Sequence, residues 1–528
     1  MKLIDVETLE LVEFPTRPPA PYAILSHTWC TNNADEVQYD DIRTQGINGC
    51  PDKPGKFKVE GCCRQAKADG HNYVWIDSCC INKDSAVELG MAINSMYRWY
   101  REAAVCYVYM ADVPADEGVL DEGGAFSQSR WFKRGWTLQE MLAPPDLHFF
   151  NQDWHAIAKK EDIVNDLETI TSIPRQYLFD FDPATTTASA AQRMSWAAHR
   201  ITTREEDCAY CLLGLFDVNL VMIYGEGGRK AFIRLQQAIM EKTGDNSVLA
   251  WGSRGQMTSA ATNMVPVTMP QAVSVPGGDN SKKSEGIWAS EPRDFAHCGN
   301  IVTRPVSFAG GCTFASGRMR VDMDLCVAKT DTVPSPSPSA EGVSTGSPRP
   351  ASSPPFQLRG NTVVYGLLNC GTGRSPDQLT VAIPLALVSS SGGSRDSFVV
   401  EYIRPKGFSP ILVARDAAVD PGNSHPGIHI RMERDAQGDS QGGRQKLWVG
   451  FHYPRQHLAL AETYPKAAWR GSTMLMTPTD EIADFGQHNA NCCLMLVSQN
   501  TQLADLADFV RDMPPLIYKE HVVEVGGR

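Results

Sequence analysis

The amino-acid sequence predicts a multidomain α+β protein: an α/β N-terminal domain with a parallel sheet, a helical extension, and an all-β C-terminal domain. Within the first 150 residues, short apolar runs alternate with amphipathic segments, which is typical of parallel strands joined by helices. After residue 245, apolar runs follow one another between Gly, Pro and Ser turns, which indicates a β sandwich or barrel. We place the domains at residues 1–155, 156–245 and 246–528.

The N-terminal domain contains four apolar runs that predict buried strands, because each is rich in aromatic and branched residues. The segments between them have helical periodicity and predict three helices. Right-handed crossovers would then cover both faces of a parallel sheet with helices. The predicted strands are YAILSH (22–27), YVWID (73–77), AAVCYVYMAD (103–112) and DLHFF (146–150), and the predicted helices are residues 56–70, 85–103 and 129–144.

Polar side chains lie at the ends of the first two predicted strands. Ser26, His27 and Trp29 end or follow the first strand, and Asp77 and Asn82 end or follow the second. Ligands of such sheets bind beyond the carboxyl ends of the strands, so these residues are candidates for a binding cleft. Each could equally cap a loop.

The third predicted helix, in the stretch SRWFKRGWTLQEMLAP, carries a carboxylate beside an indole. At 100° per residue, Trp136 and Glu140 fall on the face opposite the apolar stripe. That face is either the wall of a pocket or a solvated surface on which Arg130, Lys133 and Arg134 pair with Glu140.

The rest of the chain divides into a helical and a β-rich part. TTREEDCAYCLLGLFDV and YGEGGRKAFIRLQQAIMEKTG predict helices of the extension. Eight apolar runs predict strands of the C-terminal domain, and a Pro/Ser-rich stretch at 332–355 predicts a disordered loop inserted into it. The strand-like runs start at residues 306, 319, 362, 379, 398, 428, 446 and 492.

Charge and hydropathy limit the classes of partner. Lys and Arg number 49 against 61 Asp and Glu, the formal net charge is −12, and no basic patch is visible, so we expect no nucleic-acid partner. The first residues, MKLIDVETLELVEF, lack the features of a secretory signal, and no apolar stretch reaches the roughly 18 residues that a membrane span needs. These observations predict a cytoplasmic protein with no membrane span.

Cysteine spacing gives no metal site. The chain has 15 cysteines, an odd number that cannot pair fully, and a reducing compartment would keep them as thiols. Cys208 and Cys211 form a CxxC without a second pair at zinc-finger spacing. We therefore predict that they pack in a buried helix and bind no metal.

Four separated motifs give the chain a family resemblance. YAILSHTW, YVWIDSCCINK, INSMYRWYREAAVCYVY and RGWTLQEMLAP, in this order, resemble the fungal heterokaryon incompatibility (HET) domain over roughly residues 20–155. The segment that starts at RMSWAAHR is similar to the helical extension that accompanies this domain in large relatives. Cys30 and Lys83 depart from the glycine and glutamine that are frequent in the family.

This resemblance implies a function in non-self recognition, in which HET proteins trigger programmed cell death when incompatible hyphae fuse. The HET domain is itself similar to the Toll/interleukin-1 receptor (TIR) domain of innate immunity, which has a flavodoxin-like parallel sheet. In TIR enzymes, a glutamate at W-x-x-x-E spacing supports cleavage of the nicotinamide glycosidic bond of NAD. The likeness therefore implies NAD as a substrate and no resident cofactor, with Glu140 as the catalytic residue and Ser26, His27, Trp29, Asp77, Asn82 and Trp136 as ligand-binding residues.

Two other functions stay open from the residues alone. The N-terminal domain could be a non-enzymatic signalling and assembly module, for which a protein partner or self-association is expected. The chain could also be a secondary-metabolism protein that has borrowed the fold. Nicotinamide release from NAD, and its loss when Glu140 is replaced, distinguishes the enzyme from both.

Overall fold

The structure of the protein is a computed structural model, and it divides the chain into two compact units, Met1–Asp435 and Ala436–Arg528. It describes residues 1–15, 21–115, 123–253, 255, 257, 260–261, 263–266, 286–304, 312–315, 318–328, 332–334, 356–358, 363–373, 379–393, 397–405, 408–414, 427–431, 458–463 and 494–498.

A seven-stranded mixed sheet organises the described N-terminal part of the chain. Its four central strands are parallel neighbours in the order β4-β3-β5-β6, and antiparallel strands β1, β2 and β7 complete its two edges. The strands are β1 (Lys2–Asp5), β2 (Leu11–Glu13), β3 (Ala23–His27), β4 (Tyr73–Trp75), β5 (Val105–Tyr109), β6 (Leu147–Phe150) and β7 (Ala156–Lys159).

The central strands are buried because helices cover the sheet. Every residue of β3 and β5 is buried, as expected of parallel strands whose two faces are both covered. Each of the four predicted strands contains an observed one. The sheet also includes β7, which lies beyond residue 155, where we predicted the first domain to end.

Three of the predicted helices, at residues 56–70, 85–103 and 224–244, each contain an observed α-helix. The predicted helix TTREEDCAYCLLGLFDV is wrong over most of its length, because only Asp207–Tyr210 is α-helical and Leu213–Phe216 is a 3₁₀ turn. Ser85 caps α3 by accepting a hydrogen bond from the Glu88 backbone. The described α-helices are α1 (Tyr39–Ile42), α2 (Lys56–Ala68), α3 (Ala86–Glu102), α4 (Ala125–Gln128), α5 (Thr137–Leu142), α6 (Val164–Thr171), α7 (Arg175–Phe179), α8 (Ala190–Ala197), α9 (Asp207–Tyr210) and α10 (Gly228–Thr243). The described 3₁₀ turns are Asn33–Asp35, Ile47–Gly49, Arg130–Lys133, Leu213–Phe216, Asn246–Leu249 and Pro292–Phe295.

The predicted helix at 129–144 is broken in two. A 3₁₀ turn, Arg130–Lys133, precedes α5, and the backbone between them leaves the helical path because the Gly135 amide donates to the Ile201 carbonyl at 2.9 Å. All six residues of α5 are buried. The face of α5 that carries Glu140 is therefore not a solvated surface.

The C-terminal strands of the first unit form a second sheet of ten strands among the described residues. Its pairs are antiparallel except β19 with β21 and β8 with β20. The strands are β8 (Ala260–Ala261), β9 (Met264–Pro266), β10 (Ile301–Thr303), β11 (Thr313–Ala315), β12 (Arg318–Asp322), β13 (Leu325–Ala328), β14 (Thr332–Pro334), β15 (Phe356–Leu358), β16 (Val363–Leu367), β17 (Cys370–Thr372), β18 (Leu379–Gly393), β19 (Ser397–Ile403), β20 (Ile411–Ala414) and β21 (Gly427–Arg431). Four of these strands lie outside the ten-stranded sheet, because β10 pairs with β17 and β14 pairs with β15.

The first three residues of the predicted disordered loop at 332–355 belong to a strand, so the expectation is wrong for them. Thr332–Pro334 is strand β14, which pairs with β15, and residues 335–355 lie outside the described residues. The predicted strand that starts at residue 446 also lies outside them. In the second unit, β22 (Leu458–Thr463) and β23 (Leu494–Ser498) form an antiparallel pair. No helix in the described ranges combines the length and apolar character that crossing a bilayer requires.

Two helical glycines give opposite predictions for stability. A methyl group at Gly61 of α2 would lie 2.0 Å from Nε1 of Trp154, whereas at Gly90 of α3 the nearest atom, in Met222, is 3.7 Å away. We expect Gly61→Ala to lower the free energy of unfolding by about 1–3 kcal/mol through overpacking. Gly90→Ala should raise it by about 0.5–1 kcal/mol because alanine favours a helix. Denaturant unfolding measures both, and equal effects would contradict the packing described here.

Candidate functional site

The carboxyl ends of β3 and β4 bring polar side chains together. The two strands are parallel neighbours, and Ile24 pairs with Trp75. Continuing this register places Ser26 level with Asp77. The polar residues at the ends of the first two predicted strands therefore lie side by side at this edge of the sheet, as expected.

Both carboxylate oxygens of Asp77 accept hydrogen bonds. His27 Nε2 lies 2.8 Å from Oδ1, and the Trp29 indole donates to Oδ2 at 2.9 Å. Burial by itself would raise the pKa of Asp77, but the hydrogen bond and charge of His27, followed by the charge of Lys83, hold it well below its usual range. Because the ionised carboxylate can only accept, Nε2 of His27 carries the proton in this contact.

Lys83 lies against the same group of residues. Its ammonium is 3.8 Å from the centre of the Trp29 ring, a cation–π contact. Burial lowers the pKa of Lys83, and the negative charge of Asp77 opposes that effect. Within the part of the chain that the structure describes, Lys83 Nζ and His27 Nδ1 are buried without a hydrogen-bond partner. Such atoms suit a polar ligand or an ordered water.

A buried ion pair supports the loop after β3. Lys58 Nζ lies 2.6 Å from Glu36 Oε2, with side chains that are 5% and 0% exposed. The same oxygen accepts from the Cys30 backbone at 2.8 Å. Burial opposes ionisation of Glu36, but the charges of His27 and Lys58 lower its pKa. Cys30 stands where the family often has glycine. Its backbone does not have a positive φ, so a cysteine fits this position without backbone strain.

Glu140 is enclosed and bonded to β3. Its Oε2 accepts from the Ser26 hydroxyl at 2.5 Å, and the Ser26 oxygen accepts from the Trp131 indole at 2.8 Å. Glu140 is 5% exposed and Ser26 is 0% exposed. Burial, followed by the charge of Asp77, raises the pKa of Glu140 to about 8, against the lowering effect of the Ser26 hydrogen bond. The solvated-surface alternative for Glu140 is therefore wrong.

Two predicted ligand-binding residues make their contacts elsewhere. The Trp136 indole donates to Asp207 Oδ2 at 3.1 Å, because Trp136 precedes α5 and faces the extension. Asn82 accepts from the Asp84 backbone at 3.1 Å and so closes a local turn. Five of the predicted residues thus form two hydrogen-bonded groups at the end of β3: Ser26 with Glu140, and Asp77 with His27 and Trp29. Among the described residues, Trp136 and Asn82 form hydrogen bonds with neither group.

Sequence reasoning missed Glu36, Lys58 and Trp131. Glu36 and Lys58 lie 22 positions apart and only the tertiary fold brings them together. Trp131 lies in the stretch SRWFKRGWTLQEMLAP that we singled out, but no local pattern indicated that its indole would bond Ser26.

A cavity of about 610 Å³ is lined by residues of β1, β2, α3 and the loop after β4, and none of the predicted site residues lines it. Within the described residues, no cluster of three or more His, Cys, Asp or Glu side chains is arranged to hold a metal ion.

Comparisons with known proteins connect the part of the chain that carries Ser26, His27, Trp29 and Asp77 to a family. Residues 22–123 match the family model described as heterokaryon incompatibility protein (HET), and residues 230–309 match a domain of unknown function, DUF8212. The HET resemblance expected from the motifs is thereby confirmed over residues 22–123. The Podospora anserina protein named vegetative incompatibility protein HET-E-1 is 42% identical over 241 residues, which is 44% of this chain and 17% of that protein. No solved structure matches the chain significantly.

The raised pKa of Glu140 predicts how stability depends on pH. The folded state favours the neutral carboxyl, so its stabilising contribution is complete below about pH 4.5 and is lost as pH rises through about 8. The wild type should therefore lose stability relative to Glu140→Gln, on the order of a few kcal/mol, between pH 5 and pH 9. Denaturant unfolding across this range measures the difference. Ser26→Ala, which removes the hydrogen bond that lowers this pKa, should move the loss to higher pH, and a pH-independent difference would contradict the burial of Glu140.

The buried ion pair gives a second prediction. Lys58→Met leaves the Glu36 carboxylate buried without its cation and should lower the free energy of unfolding by about 3–5 kcal/mol. Adding Glu36→Gln should restore a large part of that loss because the uncompensated charge is gone. A cost below about 1 kcal/mol for Lys58→Met would show that the two side chains do not pair in solution.

Proposed function

We propose that this chain acts in heterokaryon incompatibility and that its N-terminal α/β region cleaves the nicotinamide glycosidic bond of NAD. The observation that carries the proposal is the buried Glu140 carboxyl bonded to Ser26 at the carboxyl edge of the sheet. The HET match and the identity to a vegetative incompatibility protein support the biological role. The matched stretch is 17% of that relative's length, so its whole activity is not carried over.

The chemistry suits a single carboxylate. In NAD hydrolysis the bond between C1′ of the ribose and the pyridinium nitrogen breaks, and its electron pair neutralises that nitrogen. Positive charge develops on the ribose ring, and water adds to C1′ with release of a proton. An ionised Glu140 near the ribose would stabilise that charge electrostatically. Nicotinamide leaves as a neutral molecule, so a second carboxyl acting as a general acid is not required.

The charge state of Glu140 would depend on its ligand. With a pKa of about 8, roughly a tenth of the resting protein carries an ionised Glu140 at pH 7. The positively charged nicotinamide ring beside the carboxyl would lower that pKa and increase the ionised fraction. Asp77, already ionised, and the unpartnered His27 Nδ1 and Lys83 Nζ would supply further polar contacts.

Access to Glu140 requires movement. Its carboxyl is enclosed, and the described cavity lies elsewhere, so NAD would reach it only after neighbouring segments open. A requirement for opening fits a protein that acts after a recognition event. The free thiols of the described cysteines fit the reducing cytoplasm as its location.

A second candidate function, assembly without catalysis, is favoured by an exposed apolar surface. Val87 and Met91 lie one turn apart on α3 and are 73% and 67% exposed. The adjoining loop packs on α3 through hydrogen bonds of Asn94 with Leu220 and exposes Val221 to 73%. Exposed apolar patches of this kind mark protein partners, including a second copy of the chain.

Nicotinamide release from NAD tests the catalytic proposal. We expect Glu140→Gln and Glu140→Ala to lower the rate by on the order of 10²–10³. The kcat/KM of the wild type, which reports the free protein, should rise with pH toward about 8 as Glu140 ionises. The exposed Glu241→Gln serves as the control and should retain the rate of the wild type.

The same assay is run on a version fused to a dimerisation domain, since clustering is one way to trigger opening. No nicotinamide release from the monomer or the fused dimer would contradict the catalytic proposal. Loss of self-association in Met91→Glu would then support assembly as the function.

A further inference from the structure

The helical region after residue 155 contacts the turn that leads into α5. The Ile201 amide donates to the Lys133 carbonyl at 2.7 Å, and the Gly135 amide donates back to Ile201 at 2.9 Å. One residue before this bridge, Arg200 Nη1 donates to the Arg134 carbonyl at 3.0 Å and to the Thr137 hydroxyl at 3.1 Å. A segment of the helical region thus holds the residues just ahead of Glu140.

Hydrogen bonds connect this contact to Glu140 itself. The Thr137 hydroxyl, which accepts from Arg200, lies 2.5 Å from the carbonyl oxygen of Trp131 and donates to it. The indole of the same tryptophan donates to Ser26, and Ser26 donates to Glu140. Arg200 therefore contacts both the first residue of α5 and the turn that orients the Trp131 indole.

The Arg200 side chain is partly buried, and its hydrogen bonds offset the cost of removing its charge from water. Burial lowers the pKa of Arg200 to about 10, and its electrostatic interactions with Cys211 and Glu140 oppose the shift. The group remains a cation at neutral pH. A planar guanidinium can reach two acceptors with fixed geometry, which an ammonium does less well.

We propose that Arg200 is a positioning residue for Glu140, and that the segment around it couples the helical extension to the candidate site. The relevance to catalysis rests on the proposed function. The positioning itself is a property of the folded chain and can be measured without turnover.

Several charged or titratable groups act on Glu140, so the test compares each variant with its own Glu140→Gln partner. These groups are Asp77 after β4, Tyr100 on α3, Cys106 on β5, Arg134 before α5, and Arg200.

The experiment measures the free energy of unfolding of the whole chain from pH 5 to pH 9, with and without Glu140→Gln. The difference between the two free energies is the contribution of Glu140. The readout is the midpoint, which is the pH at which half of the change in this difference has occurred. The test variants are Arg200→Lys, which keeps the charge, and Thr137→Val, which keeps the shape of the side chain. The control is Arg193→Lys, which alters another buried arginine, bonded to the Leu215 carbonyl at 2.8 Å.

We expect Arg200→Lys and Thr137→Val each to shift the midpoint by at least about half a pH unit, and the double variant to shift it by less than the sum of the two. Arg193→Lys should lower stability and leave the midpoint unchanged. An unchanged midpoint in folded Arg200→Lys and Thr137→Val proteins would overturn the proposal, as would an equal shift in Arg193→Lys.

Nicotinamide release separates this inference from the proposed function. If the wild type turns over NAD, Arg200→Lys should lower kcat about tenfold at unchanged KM, and Arg193→Lys should not. If neither the wild type nor its fused dimer turns over NAD, the proposed function fails and the midpoint shift still decides whether Arg200 positions Glu140.

Discussion

The burial of carboxylates at the carboxyl edge of a parallel sheet constrains everything around this site. An ionised carboxylate removed from water must be matched by donors or cations. Glu36 has Lys58, and Asp77 has His27 and Trp29. Glu140 has Ser26 but no ion pair among the described residues, so it is kept mainly neutral. Glu36 and Asp77 are therefore ionised at neutral pH, because their pKa values are lowered. Of these three carboxyl groups, Glu140 is the one whose pKa lies near neutral pH.

Much of the fold around the site was predictable because it depends on local patterns. The apolar runs of β3 and β5 are buried throughout, so their composition alone indicated central strands. Parallel pairing then fixes which ends meet, and this is why Ser26 and Asp77 could be placed together from sequence. Glu140 was found through its motif spacing, which does not by itself distinguish an enclosed carboxyl from an exposed one.

The rest of the site depends on contacts that local patterns do not encode. Helical periodicity assigned Trp136 to the same face as Glu140, but the backbone leaves the helical path at Gly135 to pair with Ile201. Trp136 consequently bonds Asp207. The Glu36 and Lys58 pair and the reach of Arg200 join segments far apart in sequence. The first pairing follows from the packing of α2 against the loop after β3, and the second from the packing of the extension beside α5. No single segment specifies either.

The enclosure of Glu140 has a thermodynamic consequence for any ligand that must reach it. Binding then selects a minority conformation, and the apparent affinity falls by the fraction of molecules that occupy it. If about one molecule in a hundred is open, the apparent dissociation constant is about a hundred times the intrinsic one. A metabolite present at a constant concentration could then leave the resting protein almost unoccupied and saturate it once opening becomes favourable, with no change in the metabolite itself.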